Sequence, residues 1–244
     1  MLRVGTFNIL NTSCRYEERR PLIQDAIHRL NSDIIGLQEV NTSQINALQG
    51  SYEVYQSLLP SPMVKPTEPD FRIDGNCTLV NSEVCKVSNF SQYVYSSGLR
   101  IAQKLDIRIG NKDLEFVNTH LDHLSESVRT QQVKELLSWL EISQERNIVV
   151  VGDFNFKPDA EGYKLMSKHF TSAVKAFTRS EPLLTFPTGL YGEHSDIDHY
   201  GCLDYIWLKG NVQVKSAHVL WDIGEDTLFA SDHYPIATDL IVNF

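Results

Sequence analysis

The sequence predicts an α/β fold in which two mixed, mostly antiparallel β-sheets pack face to face with helices outside. Three observations lead to this prediction. Short apolar runs rich in Val, Ile and Phe recur along the chain, as buried strands require. Segments with helical periodicity lie between strand clusters in both halves of the sequence. No segment has the composition of a linker, so we expect one domain over residues 1–244.

The predicted strands run from the N-terminus to the last residues of the chain. Each is a short apolar run of the kind found in half-buried or fully buried strands. Their spacing leaves room for one helix after the first strand and for longer helical segments in the second half. In chain order they are Leu2–Leu10, Asp33–Val40, Asn76–Val80, Leu99–Ile109, Leu114–Leu121, Asn147–Gly152, Leu203–Leu208, Val212–Trp221 and Pro235–Val242.

Three segments are predicted to be helical. Apolar residues recur at helical spacing in Pro21–Leu30 and in Glu126–Glu145, so each segment has one apolar face and one charged face. Asp159–Lys168 is a shorter third candidate. Two further segments, Leu59–Pro69 and Thr185–Tyr200, are predicted to be long loops. Long loops in compact domains are often functional, and we expect these two to select the substrate.

The formal net charge of −9 restricts the partners that this protein can bind. A protein that holds long nucleic acid mainly by releasing counterions needs a basic surface, which this composition does not favour. A nucleic-acid or nucleotide substrate is still compatible with the charge, because a bound cation supplies positive charge where a phosphate lies.

The four cysteines and the N-terminus bear on the cellular compartment. The cysteines show no metal-site spacing, and a chain of this size does not need disulfides, so free thiols in a reducing compartment are expected. The first residues, MLRVGTFNIL, resemble a strand more than a signal peptide. No apolar stretch approaches the roughly 18 residues of a membrane span. These features together predict a cytoplasmic protein.

Polar residues that a plain strand end does not require follow several of the predicted strands. If these strands belong to two facing sheets, their ends converge on one cleft. Carboxylate and amide oxygens in such a cleft suit a hard divalent cation such as Mg²⁺. A bound cation can polarise a phosphoryl oxygen. The residues are Asn8, Glu39, His120, Asp153 with Asn155, Asp204, and Asp232 with His233.

Six short motifs in this order resemble those of the endonuclease/exonuclease/phosphatase superfamily, which includes pancreatic deoxyribonuclease and abasic-site endonucleases. They are TFNIL, LQEV, NTHLD, GDFN, LDYI and SDHYP, and they extend over almost the whole chain. One tetrapeptide is weak evidence, whereas six motifs in register are strong evidence. The resemblance implies a four-layer α/β sandwich and a Mg²⁺- or Mn²⁺-dependent phosphoesterase.

The resemblance also implies a metal-binding group of side chains. Glu39 corresponds to the main metal ligand, with Asn8 close beside it and Asp232 completing the surroundings of the ion. Each of these residues, taken alone, has an ordinary structural explanation, such as a solvated or capping group at a strand end. The six motifs together favour the metal-binding interpretation.

The remaining site residues are assigned to the reaction by the same resemblance. Asp153 would position or activate the attacking water, and Asn155 would hold that water or a phosphate oxygen. His233 would contact the scissile phosphate and act as acid or base, with Asp204 orienting its ring. His120 would contact the phosphate or assist the leaving group.

Alternatives remain at this level. Phosphodiester cleavage is preferred, but a phosphomonoesterase acting on a small soluble or lipid-linked phosphate is the second hypothesis. A catalytically inactive family member that binds a partner is the third. The segment Glu193–His199 is dense in potential ligands, and there a solvated loop is favoured over a second metal site. The oligomeric state is not fixed, and a monomer is expected.

Overall fold

A computed structural model describes residues 1–48, 50–60, 73–142, 146–190, 200–225 and 227–243. The strands are β1 (Leu2–Asn8), β2 (Ile34–Val40), β3 (Glu53–Pro60), β4 (Ile73–Val80), β5 (Lys86–Val94), β6 (Ile101–Ile109), β7 (Lys112–His120), β8 (Ile148–Asp153), β9 (Thr171–Ser172), β10 (Asp204–Lys209), β11 (Val212–Val219), β12 (Gly224–Glu225), β13 (Leu228–Phe229) and β14 (Ile236–Val242). The helices are α1 (Tyr16–Leu30), α2 (Thr42–Leu48), α3 (Glu126–Trp139), α4 (Glu161–Ser167) and α5 (Ala173–Thr178).

The described strands form two large mixed sheets and a small hairpin. The first six-stranded sheet has the order β11-β14-β1-β2-β4-β3, and the second has the order β5-β6-β7-β8-β10-β9. Each large sheet contains a central parallel pair, β1 with β2 and β7 with β8, among antiparallel neighbours. Apolar contacts place α1 and α2 outside the first sheet, and α3 and α4 outside the second. The predicted four-layer α/β sandwich is therefore confirmed.

Side-chain alternation explains why β2 and β8 carry apolar residues at successive positions. In β2, Ile34 lies between the sheets, while Ile35 packs against the α1 side. In β8, Val149 and Val151 lie between the sheets and Val150 packs on the helical side. Strands covered on both faces must be apolar at successive positions, and the sequence shows such runs.

A polar contact and a glycine join the two sheets near the centre. Asn118 of β7 donates from Nδ2 to the Leu37 carbonyl at 3.0 Å, and its Oδ1 accepts from Gln38 Nε2 at 2.7 Å. A Cβ on Gly36 would lie 2.4 Å from Val151 Cγ2. Only glycine permits this close approach without displacing Val151. The approach brings the ends of β1 and β2 next to those of β7 and β8.

Several predicted boundaries were wrong. Helix α1 begins at Tyr16, five residues before the predicted start. Glu17 and Glu18 lie in its first turn, where negative side chains interact favourably with the positive end of the helix dipole. Helix α3 ends at Trp139, well before the predicted Glu145, which lies outside the described residues. Strands β3, β5, β9, β12 and β13 and helices α2 and α5 were not predicted, and Leu59 and Pro60, predicted to begin a loop, end β3.

Two further predictions concern cysteines and membranes. All four cysteines are free, with one exposed and three buried. Within the described part of the chain, no helix combines the length and the apolar character needed to cross a bilayer. The exposed cysteine is Cys14, and the three buried cysteines are Cys77, Cys85 and Cys202.

Candidate active site

The eight predicted residues converge at one end of the sandwich, where the two parallel strand pairs finish. Asn8 ends β1, His120 ends β7 and Asp153 ends β8. All three are buried. Ligands bind at the carboxyl ends of parallel strands in many α/β folds because those ends open onto a crevice. The chain therefore places polar side chains from both sheets at a common edge.

Glu39 reaches this edge because β2 is irregular there. Strict alternation would place Glu39 on the helical side with Ile35 and Leu37. The pairing of β2 with β4 shifts register between Leu37 and Val40, and Glu39 has a φ of 55°. Bulges of this kind redirect a side chain and are frequent next to active sites. The carboxylate of Glu39 consequently lines the cleft.

Asn8 connects the carboxylates of the two sheets. Its Nδ2 donates to Glu39 Oε1 and to Asp153 Oδ2, both at 3.0 Å. Its Oδ1 accepts from the Leu10 backbone N–H at 3.0 Å, which fixes the direction of the amide. The other oxygen of Glu39 accepts from the Asn11 N–H at 3.0 Å. In this arrangement Asn8 orients both acids, and its amide oxygen faces the backbone.

His233 and Asp204 form a buried pair directly beside Asp153. His233 Nδ1 lies 2.9 Å from Asp204 Oδ2, and His233 Nε2 lies 3.6 Å from Asp153 Oδ2. Burial opposes the charged ring, but Asp204 and then Asp153 outweigh it and hold the pKa of His233 well above its ordinary value. At neutral pH His233 is therefore a cation whose Nε2 faces the reacting centre.

His120, in contrast to His233, has a neutral ring. Burial, followed by the positive charges of Arg100 and His233, holds the pKa of His120 well below its ordinary value. The amide Nδ2 of Asn155 lies 3.1 Å from His120 Nε2 and donates to the Leu121 carbonyl at 3.0 Å. Because an amide nitrogen can only donate, Nε2 of His120 accepts and the ring is neutral.

Asp153 lies between the two histidines. Burial raises its pKa to about 7, with the charge of Asp204 acting in the same direction and His233 acting against it. Its Oδ1 accepts from the Asn155 backbone N–H at 2.9 Å. A carboxyl with a pKa near neutrality can exchange a proton with a water molecule under physiological conditions, which suits a general base.

Asp232 lines the same cleft, and the side chain of Ser231 contacts its carboxylate. Ser231 Oγ lies 3.2 Å from Asp232 Oδ1 and donates to the Asn8 carbonyl at 2.7 Å. Burial raises the pKa of Asp232, and the charge of Glu39 raises it further. Asp232 is buried and Glu39 is half-buried, and two such carboxylates that repel each other gain from a cation between them. Oxygen donors suit Mg²⁺ or Mn²⁺. The donor set of Glu39 and Asp232 therefore fits a hard divalent ion.

A second group of potential ligands consists of Asp153, Asp204 and His233, whose ligand atoms lie within 4.8 Å of one another. In this group Nδ1 of His233 is already engaged by Asp204. The hydrogen bond leaves the pair better suited to proton transfer than to holding an ion. Glu39 and Asp232 are the better-suited donors for a cation, because both offer carboxylate oxygens to the cleft.

The sequence did not reveal several residues of the site. Arg19 of α1 is fully buried and donates to the carbonyls of Ile9 at 2.7 Å and Ala230 at 3.1 Å, which joins the loops carrying Asn8 and Asp232. Arg100 and His123 line the cleft, which has a volume of about 370 Å³. Their proximity in sequence to His120 and to a strand start was the available signal.

The two predicted loops are only partly described. Residues 61–69 of the first and 191–199 of the second, including Glu193–His199, lie outside the described residues. In the second loop, Thr185 Oγ1 accepts from the Asp204 N–H at 3.1 Å, and Phe186 packs on the His233 ring at 4.7 Å between centroids. This part of the loop supports the Asp204–His233 pair, while its role in substrate selection stays a prediction.

The fold and the site define a class of protein. The chain belongs to the endonuclease/exonuclease/phosphatase family, whose profile matches residues 5–233. The family resemblance found in the motifs is thereby confirmed. Members of this family are hydrolytic enzymes, and the type of ester is not fixed by membership.

Individual relatives include Nocturnin from Homo sapiens, which is 29% identical over 262 residues, covering 92% of this chain and 58% of Nocturnin. The chain thus spans less than two thirds of that relative. A solved structure of the human Nocturnin catalytic domain with a bound sulfate anion has a TM-score of 0.80 at 25% identity, covering 99% of this chain and 94% of that one.

Two further solved structures share the fold at lower identity. A mannosyl-6-phosphatase from Bacteroides thetaiotaomicron has a TM-score of 0.78 at 17% identity and covers 99% of this chain and 100% of its own. TDP2 from D. rerio, complexed with a single-strand DNA product, has a TM-score of 0.79 at 15% identity, with 98% of both chains covered. These likenesses establish the architecture alone.

Proposed function

We propose that this chain hydrolyses phosphate esters with Mg²⁺ or Mn²⁺, by in-line attack of an activated water. One observation carries the proposal: an oxygen donor set suited to a cation and a charged histidine–carboxylate pair face the same cleft, with Asp153 between them. Phosphoryl transfer needs a positioned nucleophile and charge stabilisation more than covalent help. Both are available from the side chains of this cleft.

Glu39 and Asp232 would hold the cation, which when bound neutralises negative charge on the phosphate oxygens. Asn8 keeps Glu39 in place from the side of the first sheet. Asn8 itself was predicted to be a ligand, and its amide oxygen would have to leave the Leu10 N–H to become one. We therefore assign it a positioning role.

The remaining residues handle the water and the protons. Asp153 accepts a proton from the attacking water. Both amide hydrogens of Asn155 are taken by His120 Nε2 and the Leu121 carbonyl, so Asn155 would hold the water through its amide oxygen. His233 stays charged through Asp204 and donates from Nε2 to the phosphate, where negative charge increases in the transition state. The same Nε2 can supply a proton to the leaving oxygen.

Phosphodiester cleavage, preferred on the sequence, stays a prediction. The cleft volume of about 370 Å³ and the net charge of −9 favour a small phosphate ester over long duplex DNA, so a phosphomonoesterase is the second candidate. The likeness to a mannosyl-6-phosphatase and to a protein solved with a single-strand DNA product is compatible with either.

The decisive experiment compares bis-p-nitrophenyl phosphate with p-nitrophenyl phosphate, each with Mn²⁺, with Mg²⁺ and with EDTA. We expect turnover of at least one ester with either metal and none in EDTA. Asp153→Ala should abolish it, which excludes a contaminating phosphatase. Turnover that survives EDTA, or survives in Asp153→Ala, would refute the proposed function.

An inactive, partner-binding family member is the competing hypothesis from another class. All eight predicted site residues are present and brought together, which argues against degeneration. A rise in the melting temperature on addition of Mn²⁺, lost in Glu39→Gln, supports a working cation site. A protein that binds neither Mn²⁺ nor Mg²⁺ and hydrolyses no ester would favour the binding module.

A further inference from the structure

The wall of the cleft next to His120 carries a basic group that the reaction described above does not use. Arg100 immediately precedes β6 and is only 8% exposed, and its Nη2 lies 3.2 Å from His123 Nδ1. Because a guanidinium can only donate, His123 accepts at Nδ1 and carries its proton on Nε2. The pair therefore presents donors and a positive charge to the cleft.

Arg100 is incompletely satisfied within the described residues. Its Nε is buried and has no hydrogen-bond partner there. A buried donor without a partner is costly, and most such donors in folded proteins are paired. An anionic ligand group in the cleft that Arg100 lines would offset the cost of this buried charge. The planar guanidinium fork matches a phosphate in particular.

The two loops that carry this pair are fixed against each other by helix α3. Gln132 donates from Nε2 to the Ser97 carbonyl at 2.8 Å, and its Oε1 accepts from the Asp122 N–H at 2.8 Å. Gly98 has a φ of 84°, and a Cβ there would lie 2.8 Å from Gln132 Nε2. The geometry of Arg100 and His123 is therefore set before any ligand arrives.

We propose that Arg100 and His123 bind a second phosphate group of the substrate, so that the preferred substrates are small esters bearing two phosphates. The inference rests on the proposed function, in which Asp153, His233 and the cation site serve the scissile phosphate. Asp74 lines the same cleft, and its carboxylate can accept from hydroxyls of the scaffold between the phosphates. A sugar or a ribose supplies such hydroxyls.

A small molecule is preferred over an oligonucleotide for two reasons. The cleft of about 370 Å³ accommodates a ligand of sugar-phosphate or nucleotide size. The net charge of −9 gives a long polyanion no general attraction. The second phosphate is therefore assigned to the same small molecule as the scissile one.

The test measures kcat/KM with Mn²⁺ for two matched pairs: adenosine 3′,5′-bisphosphate with adenosine 5′-monophosphate, and glucose 1,6-bisphosphate with glucose 6-phosphate. A DNA trinucleotide is the third arm. In the unaltered protein we expect the bisphosphate of at least one pair to be favoured. Arg100→Met should lower that bisphosphate-to-monophosphate ratio about 10- to 100-fold, the effect of losing a charge-assisted hydrogen bond.

The matched control is Arg108→Met, which removes an exposed arginine from strand β6, paired with Asp113 and remote from the cleft. It should leave the ratio unchanged. Arg100→Lys keeps the charge and should retain part of the preference. If Arg100→Met does not fold, as judged by its melting curve, His123→Gln replaces it and should also lower the ratio.

Binding measurements distinguish failure of the second phosphate site from failure of the proposed esterase function. Calorimetry in EDTA measures the affinity for the same bisphosphates without turnover. Binding that is lost in Arg100→Met, with no hydrolysis of any ester, upholds the second phosphate site and refutes the proposed function. Hydrolysis with equal kcat/KM within both pairs, a ratio unaffected by Arg100→Met, or a preference for the trinucleotide would overturn the second phosphate site while the esterase function stands.

Discussion

The parallel pairs β1–β2 and β7–β8 occupy equivalent places at the centres of the two sheets, yet their carboxyl ends carry different chemistry. The first pair ends in Asn8 and Glu39, an amide and a carboxylate with oxygen atoms and no imidazole. The second ends in His120 and Asp153, and the neighbouring strand β10 adds Asp204. The first end is suited to a cation, whereas the second is suited to proton transfer.

The difference teaches that the two proposed functions, cation binding and proton transfer, are divided between the sheets and joined by few contacts. Asn8 is the side chain that touches both acids, at 3.0 Å from each. The loop that precedes β14 completes both sets, because Asp232 faces Glu39 and His233 faces Asp153. A substitution at Glu39 should therefore change metal affinity, and one at His233 should change pH dependence. A substitution at Asn8, the junction between the two sheets, should change both.

The largest effect is expected from the proton-transfer half. His233→Ala removes a donor and a buried positive charge, so we expect kcat to fall about 10³- to 10⁴-fold with the apparent affinity for Mn²⁺ little changed. Steady-state kinetics across a Mn²⁺ titration measures both. His218→Ala, at an exposed histidine of β11, is the control. A fall of less than tenfold would contradict the role of His233.

The cation half is tested by Glu39→Gln. Loss of the ligand charge should weaken Mn²⁺ binding and reduce kcat/KM about 100-fold or more, since the cation supplies several kcal/mol of transition-state stabilisation. The pH profile measured at saturating Mn²⁺ should keep its shape. Calorimetry of Mn²⁺ binding provides the direct readout. Unaltered Mn²⁺ affinity would remove Glu39 from the cation site.

The junction is tested by Asn8→Ala. Without the amide, Glu39 and Asp153 lose a shared donor, and an effect of about 10- to 100-fold on kcat/KM is expected, as for other residues that orient metal ligands. Both the Mn²⁺ affinity and the pH profile should shift. A change confined to metal affinity would show that Asn8 serves the first sheet alone.

The smallest expected effect concerns stability against pH. The pKa of Asp153 is raised from 3.8 to about 7, so the folded protein binds this proton more tightly than the unfolded chain does. The stability associated with that proton is present at low pH and is lost as the pH rises through about 7. Asp153→Asn cannot lose it, so its stability relative to the unaltered protein should increase with pH.

Thermal unfolding in EDTA between pH 5 and pH 8 measures this difference. About 1 kcal/mol corresponds to about 2–4 °C for a chain of this length, so the two melting curves should separate by several degrees. Mn²⁺ should narrow the gap, since a cation reduces the cost of the buried negative charges. Parallel melting temperatures across the range would contradict the raised pKa.

Much of the fold followed from local sequence. Strands β2 and β8 have apolar side chains at successive positions, a pattern that can be recognised without knowing the neighbouring elements. Strand β5 does not, because most of its residues are at least partly exposed, and an exposed edge strand is stabilised by pairing with β6 rather than by its own composition. The start of α1 at Tyr16 could not be predicted from local sequence either.

The candidate site residues came from the sequence, since each acid or histidine lies in one of the six motifs, and the structure brings them to one cleft. The protonation states of these side chains were decided by the tertiary structure alone. Burial and then the charge of Arg100 lower the pKa of His120, so its ring is neutral. At His233, burial is outweighed by Asp204 and Asp153, which raise its pKa, so that ring is charged. Local sequence carries no such information, because burial and charge at these rings are set by segments far apart in the chain.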